Sequence, residues 1–449
     1  MHIGVCSQTP LVRIKNPNLL NRVFFNLSEL KEDVDYVFSP GGVTRMLYPL
    51  LKRLIRTNLL ESAVWVSLNP HGPEKITIGN IELNYVKIHE PFLKGYGAVK
   101  EAFWNLFHGM FDSGKKNIIE LVWQEDYADY NLYNRLCSEL LKKADKEKDF
   151  DVFYVHDFQQ LPTGKMLSTV KPKIFRWHIP FNHFAIPAEW RDYLLKYFEA
   201  YDAVVVSSSS YENSLRKLGY TNKIYRVYPY IDFEDYVQPS KGEVQAFCDK
   251  YGIREDDFVV AMVARLDPLK GHDIAIQAVA KCVKHIPNIK LLIVGNGSFS
   301  SSSQGLKLSK AERWKEKLVE LVALHGLDGR VVFTGHVNST ALGAAYERCA
   351  LTVLPSKAEG FGLVVVESWL YGKPPLVSAN AGIAELVKNG TNGFVIRSVD
   401  ELAEAITKLA KDEKLRQEIG DRSLESAMMC SIERGMTEES RVLREVIEG

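Results

Sequence analysis

The 449-residue sequence has no excess charge of either sign: 56 lysines and arginines balance 56 aspartates and glutamates. That disfavours a nucleic-acid-binding chain, whose phosphate contacts call for a basic surplus. Long apolar runs are also missing. The longest, such as Phe258 to Ala264, hold about seven residues where a membrane span needs about 20. The first residues, Met1-His2-Ile3-Gly4-Val5-Cys6, read as a first buried strand. They do not form the basic segment and apolar stretch of a secretion signal. The cysteines Cys6, Cys137, Cys248, Cys282, Cys349 and Cys430 form no C-x-x-C pair and have no zinc-ligand spacing with histidine. They read as free buried thiols in a reducing compartment. No repeat has a fixed period, no Asp-x-Asp pair sits in a loop suited to a metal, and the low-complexity piece is confined to Ser298–Ser303. The expectation is a cytoplasmic globular protein with no membrane span, no nucleic-acid partner and no required metal or cofactor.

What is present points to two domains. The length suits two large domains or three small ones, and 46% hydrophobic residues can fill two cores. Short β-branched runs alternate with glycine-bearing turns and helical patterns, which predicts parallel sheets with crossover helices. Buried strands are expected over Asp151–Val155, Ala203–Val206, Phe258–Val263, Lys290–Val294, Val331–Phe333 and Ala350–Leu354. The stretch Tyr228–Pro239 holds two prolines and no helical period, so a hinge is placed there. The domains expected are 1–230 and 240–430, with 431–449 as a helix packing back toward the first. Ligands in such sheets bind in loops at the carboxyl ends of strands.

Four segments carry chemistry. Glu359-Gly-Phe-Gly-Leu-Val-Val-Val-Glu367 follows an expected strand and opens an apolar helix. Its glycines let backbone approach a ligand, and helix N-terminal amides suit phosphate or sugar oxygens. Glu359 can accept from sugar hydroxyls, and Glu367 from a vicinal diol such as a ribose. Val263-Ala-Arg265-Leu-Asp-Pro-Leu-Lys270-Gly271 follows another strand, and Arg265 and Lys270 could converge on a diphosphate. Ser39-Pro-Gly41-Gly42-Val-Thr-Arg45 sets a glycine pair before a helix, a backbone-amide cradle or a simple turn. The basic helical stretch that follows, Leu50–Leu60, reads as a packed helix with a solvated face. Finally, His156-Asp157 and Trp177-His178-Ile-Pro-Phe181 fall at two strand ends of the first domain, where an acceptor would be bound. Gly295-Asn-Gly297 is either a nucleotide-facing loop or a turn, and Thr334-Gly-His-Val337 could read a base through backbone groups.

R-x-D-P-x-K-G, followed about ninety residues later by E-G-F-G-x-x-x-x-E, resembles the donor domain of GT-B retaining glycosyltransferases of the glycogen-synthase-like family. Phe103-Trp104-Asn-Leu-Phe-His-Gly109, Trp123, Tyr133-Asn134, Val155-His-Asp157 and His178-Ile-Pro-Phe181 resemble trehalose-6-phosphate synthases and trehalose glycosyltransferring synthases. The resemblance implies two doubly wound Rossmann-like α/β domains facing across a cleft. It implies a nucleoside-diphosphate glucose, UDP- or ADP-linked, as co-substrate, and glucose 6-phosphate or glucose as acceptor. Arg265 and Lys270 would bind the diphosphate. Glu359 and the amides of Phe361, Gly362 and Leu363 would hold the sugar, and Glu367 the ribose. Gly41, Gly42, Gly295 and Val337 would complete the donor site. His178 would touch the donor sugar or place the acceptor. Asp157 would bind acceptor hydroxyls, while Trp104, Trp123 and Tyr133 would wall that pocket or belong to the core. The phosphate-binding arginine of the synthases is missing from the loop after Val294, and Arg13, Lys15 or Arg45 could replace it. The implied chemistry is front-face transfer with the leaving diphosphate as base. A homodimer or larger homo-oligomer is compatible with this. Other readings are a lipid or glycan acceptor, a sugar-nucleotide epimerase, or a non-catalytic nucleotide-sugar sensor.

Overall fold

β-Branched and aromatic runs form the two large sheets of the computed structural model, which describes residues 1–20, 22–39, 41–110, 124–295 and 310–449. These fall into two compact units, Met1–Tyr230 with Ile432–Gly449, and Ile231–Ser431. Trp123, Asn296, Gly297 and Ser298–Ser303 lie outside the described residues.

In the first unit the strands are β1 (His2–Cys6), β2 (Val12–Ile14), β3 (Phe24–Asn26), β4 (Tyr36–Phe38), β5 (Ser62–Leu68), β6 (Lys75–Ile78), β7 (Ile81–Val86), β8 (Val152–His156), β9 (Lys173–Arg176), β10 (Ala203–Val206) and β11 (Lys223–Arg226). Nine of them form one sheet in the order β11-β10-β9-β8-β1-β5-β7-β6-β3, while β2 and β4 pair separately as an antiparallel ribbon. All neighbours in the large sheet are parallel except β6 and β7. Its central strands are covered on both faces. Phe153 and Val155 join one apolar core, and Val152 and Tyr154 the other. Continuous apolar runs result where a half-exposed strand would alternate. Strand order reverses direction between β1 and β8.

The second unit contains β12 (Phe258–Val263), β13 (Ile289–Val294), β14 (Val331–Gly335), β15 (Leu351–Leu354), β16 (Pro375–Ser378) and β17 (Phe394–Ile396). Their order is β14-β13-β12-β15-β16-β17, all parallel. This is the doubly wound order, with its switch point between β12 and β15, where a crevice forms outside the carboxyl ends of the strands. Val260 and Met262 face one core and Val259 and Ala261 the other.

Helix boundaries follow local chemistry. Ser240 and Glu243 form a capping box that starts the helix Lys241–Tyr251, as serine and glutamate three apart do. The basic helix expected to reach Leu60 spans Gly42–Arg56 and stops earlier: Thr57 closes it and Asn58 turns left-handed at φ 58°. Its apolar side (Met46, Leu47, Leu50, Leu51 and Leu54) is buried, and the C-terminal helix Ile432–Ile447 packs against it within the first unit, with Arg53 and Glu433 paired at 2.9 Å. All six cysteines are buried and free.

Candidate functional site

The loops after β12 and β15 meet at the switch point of the second unit. Asp267 accepts from the Leu269 amide at 2.9 Å and fixes the turn that carries Lys270. The Lys357 amide then donates to the Leu269 carbonyl at 2.8 Å, tying one loop to the other. Lys270 Nζ consequently lies 2.7 Å from Glu359 Oε2, which also accepts from Ser356 Oγ at 3.2 Å. Burial pushes the Glu359 carboxyl up. The charge and hydrogen bond of Lys270, the Ser356 hydroxyl and the charge of Arg265 outweigh it, so Glu359 is held below its ordinary value. Arg265 itself is exposed. The arrangement is an ionised carboxylate beside two cations at the mouth of a sheet, able to accept from hydroxyls while the cations face an anion.

Gly362 is the N-cap of the helix Leu363–Leu370 at φ 107°, and a Cβ there would come within 2.7 Å of Leu354 Cδ2. Only glycine fits that conformation and that contact. It sets the first amides of an eight-residue helix just beyond Glu359, with Phe361 buried beside it. Gly295, at φ 137°, leaves no room for a Cβ, which would lie 2.2 Å from the Ala264 carbonyl oxygen, one residue before Arg265. Glu367 is 3% exposed and accepts from the hydroxyls of Tyr236 at 2.8 Å and Tyr346 at 2.7 Å. Val337 packs in the apolar cluster that includes Ala341 and Leu342. Arg265, Lys270, Glu359, Gly295 and the Phe361–Leu363 turn therefore share one edge of one sheet.

The first unit carries a second cluster at its own switch point. Asp157 follows β8 with φ 68° and ψ 165°, a region that side chains rarely enter and that marks stored strain. It is 9% exposed. Burial pushes its carboxyl up to about 7, against amide bonds from Phe158 and His178. His156 Nδ1 and His178 Nε2 are 3.0 Å apart. Both imidazoles are held well below their ordinary value, His156 by burial and the Arg176 charge, and His178 by burial, His156 and Arg176. They act as a neutral pair in which one N–H donates to the other ring.

Arg13 lies on β2 and donates from Nε to Ser39 Oγ at 3.2 Å. Arg45 lies in the first turns of the helix Gly42–Arg56, whose N-cap is Gly41. A Cβ on Gly42 would meet open space, so nothing in the local packing requires glycine there. Lys15 bonds the Asp33 carbonyl at 2.7 Å. Trp104 packs on the aromatic core and stacks on His108 at 3.8 Å between centroids, while Tyr133 is wholly buried. Of the two readings left open for Tyr133, core is the one its burial fits. Sequence reasoning missed Ser356, the tyrosines around Glu367 and the buried Arg176–Glu439 pair, which Tyr154 joins at 2.9 Å. The one available signal was Arg176, a lone charge at the end of an apolar strand.

Residues 244–425 match the family model "Glycosyl transferases group 1", and residues 97–213 match "Trehalose synthase, N-terminal domain". A trehalose synthase from Pyrococcus horikoshii is 27% identical over 323 residues, 71% of this chain and 73% of that protein. A D-inositol 3-phosphate glycosyltransferase from Kribbella flavida is 28% identical over 207 residues, 46% of this chain and 47% of that protein. The fold matches that of a UDP-forming α,α-trehalose-phosphate synthase from Burkholderia xenovorans, with a TM-score of 0.74 at 17% identity and 99% of both chains covered. The chain is a GT-B glycosyltransferase, an enzyme of hexosyl transfer that resembles the trehalose synthases, and residues 244–425 form its group 1 glycosyl transferase domain.

Proposed function

We propose that the protein is a retaining glucosyltransferase that moves glucose from a nucleoside-diphosphate glucose to glucose 6-phosphate or glucose, forming trehalose 6-phosphate or trehalose. The observation that carries the reading is the Arg265–Lys270–Glu359 constellation at the switch point of the second sheet. A diphosphate leaving group develops negative charge as the glycosidic bond breaks, and prepositioned cations stabilise that charge. Lys270 serves the diphosphate, and Glu359, kept ionised, accepts from the glucose hydroxyls. The amides at Phe361–Leu363 add donors, and Glu367 takes the ribose diol. In the first unit, Asp157 is the group proposed to bind acceptor hydroxyls, and His178 lies beside it.

The names of relatives support the trehalose class: a trehalose synthase spans most of the chain, and the trehalose synthase N-terminal model falls on the unit proposed to bind the acceptor. UDP-forming chemistry in the Burkholderia structure favours UDP-glucose as the first donor to test. Arg13 and Arg45, which flank the Gly41–Gly42 helix start, are the proposed partners of an acceptor phosphate. The deciding experiment gives the purified protein UDP-, ADP- or GDP-glucose with glucose or glucose 6-phosphate, and measures diphosphate and disaccharide. Trehalose or its 6-phosphate is the expected product. Transfer to an inositol phosphate, or hydrolysis alone, would overturn the acceptor class and leave the donor site standing.

A further inference from the structure

The carboxylate assigned above to the ribose is held by an arrangement that the donor motif does not contain. Glu367 stands on the second turn of the helix Leu363–Leu370, and each of its oxygens accepts one phenol, Tyr236 on Oε1 and Tyr346 on Oε2. Tyr346 is fully buried and stacks on Tyr371 with centroids 5.0 Å apart and planes at 11°. Tyr371 in turn donates to the Val237 carbonyl at 2.7 Å, the residue next to Tyr236. Gly343 makes room for the same strap, because a Cβ there would stand 2.5 Å from the Val237 oxygen and 3.2 Å from Pro239 Cδ. The strap Tyr236–Pro239, the helix Ser339–Arg348 and the helix of Glu367 thus close one ring of contacts around a single carboxylate.

We propose that Tyr236 is a positioning residue for the donor: with Tyr346 it fixes the Glu367 carboxylate in the orientation that receives a nucleoside ribose. The proposal rests on the reading that Glu367 binds that ribose. An ionised carboxylate offers about four acceptor sites. The two phenols each take one, on opposite oxygens, which fixes the plane of the carboxylate. A glutamate free to turn about its side-chain torsions would have to be ordered when the nucleotide arrives. Here the ordering is already built in, which strengthens binding without a new contact to the ligand. Tyr236 is the partner that substitution can reach, since Tyr346 is locked into the core by its stack.

The test is calorimetric binding of UDP and 2′-deoxy-UDP to the full-length protein, or of the ADP or GDP pair if that nucleotide binds best. The wild type should prefer the ribose form. Tyr236→Phe keeps the ring and removes the hydroxyl. It should weaken ribonucleotide binding by about tenfold, the scale of one hydrogen bond to a charged group, and weaken 2′-deoxy binding, which keeps only the 3′-hydroxyl, by clearly less, so that the preference shrinks. A purely structural tyrosine would weaken both nucleotides alike, and a hydroxyl that competes with the ribose would tighten the ribonucleotide on removal. Either result overturns the proposal. Glu367→Gln separates this from the underlying reading. If it leaves the ribose preference intact, or if no nucleotide binds the wild type, the donor assignment itself fails. If it abolishes the preference and Tyr236→Phe does not, only the positioning role fails.

Discussion

At the scale of single residues, charge and burial set the chemistry, and their balance differs between the two clusters. Glu359 is partly buried, yet Lys270 and Ser356 hold its charge. Its folded-state pKa lies below the unfolded one, so its pairing stabilises the fold above the ordinary glutamate range and is lost as pH falls through the depressed value. Glu359→Gln should therefore lower Tm at neutral pH, by an amount that vanishes in acid, and should reduce transfer at least about a hundredfold, as loss of a prepositioned polar group does. An equal Tm deficit at all pH values would refute the pairing. Asp157 runs the other way. Its carboxyl is raised from 3.8 to about 7, so the folded state holds a proton that the unfolded chain releases, and stability falls as pH rises through that interval. Asp157→Asn should be close to neutral near pH 4 and should raise Tm at pH 8, while impairing acceptor use. Thermal melts across that range decide the first point and acceptor KM the second.

Elements place these residues through contacts remote in sequence. The C-terminal helix Ile432–Ile447 brings Glu439 to Arg176 at the end of β9, both 1% exposed, with Tyr154 and Tyr230 donating to the same carboxylate. Removing one member strands a buried charge, which costs about 3–5 kcal/mol, whereas replacing both by apolar side chains is far milder. Arg176→Met should accordingly lower the urea midpoint strongly, and Arg176→Met with Glu439→Leu should recover much of the loss. Simple additivity would show that the two do not act as a pair. Glycine placement is a second device of this scale. Gly362→Ala would force a side chain into φ 107° and against Leu354, and should weaken nucleotide binding more than Gly42→Ala, whose Cβ meets open space.

For the whole molecule, two sheets with separate cores imply two cooperative units. Calorimetric unfolding should show more than one transition, and UDP should raise the one belonging to Ile231–Ser431. The shift should correspond to about 2.7 kcal/mol at a hundredfold excess over Kd. A shift of the other transition alone would move the donor site to the first unit. Among the described residues no helix is long and apolar enough to cross a membrane.

Much of this was legible in local sequence. Runs such as Phe258–Val263 announce buried parallel strands because both faces are covered, and the proposed donor site is marked by Arg265 and Glu359 in the loops after two such strands, with Lys270 in the turn and Glu367 in the helix that follow them. Helix ends were less legible: Leu60 completes an apolar period, but the left-handed Asn58 breaks the helix first. What only the tertiary structure decided are pairings that no local pattern encodes. Lys270 meets Glu359 across 89 residues, Tyr236 meets Glu367 across 131, and Tyr154 meets Glu439 across 285. Hydrophobic periodicity records whether a side chain is buried. Which partner a buried polar group finds depends on strand order and on the packing of elements distant along the chain, and those are fixed only once the sheets have formed.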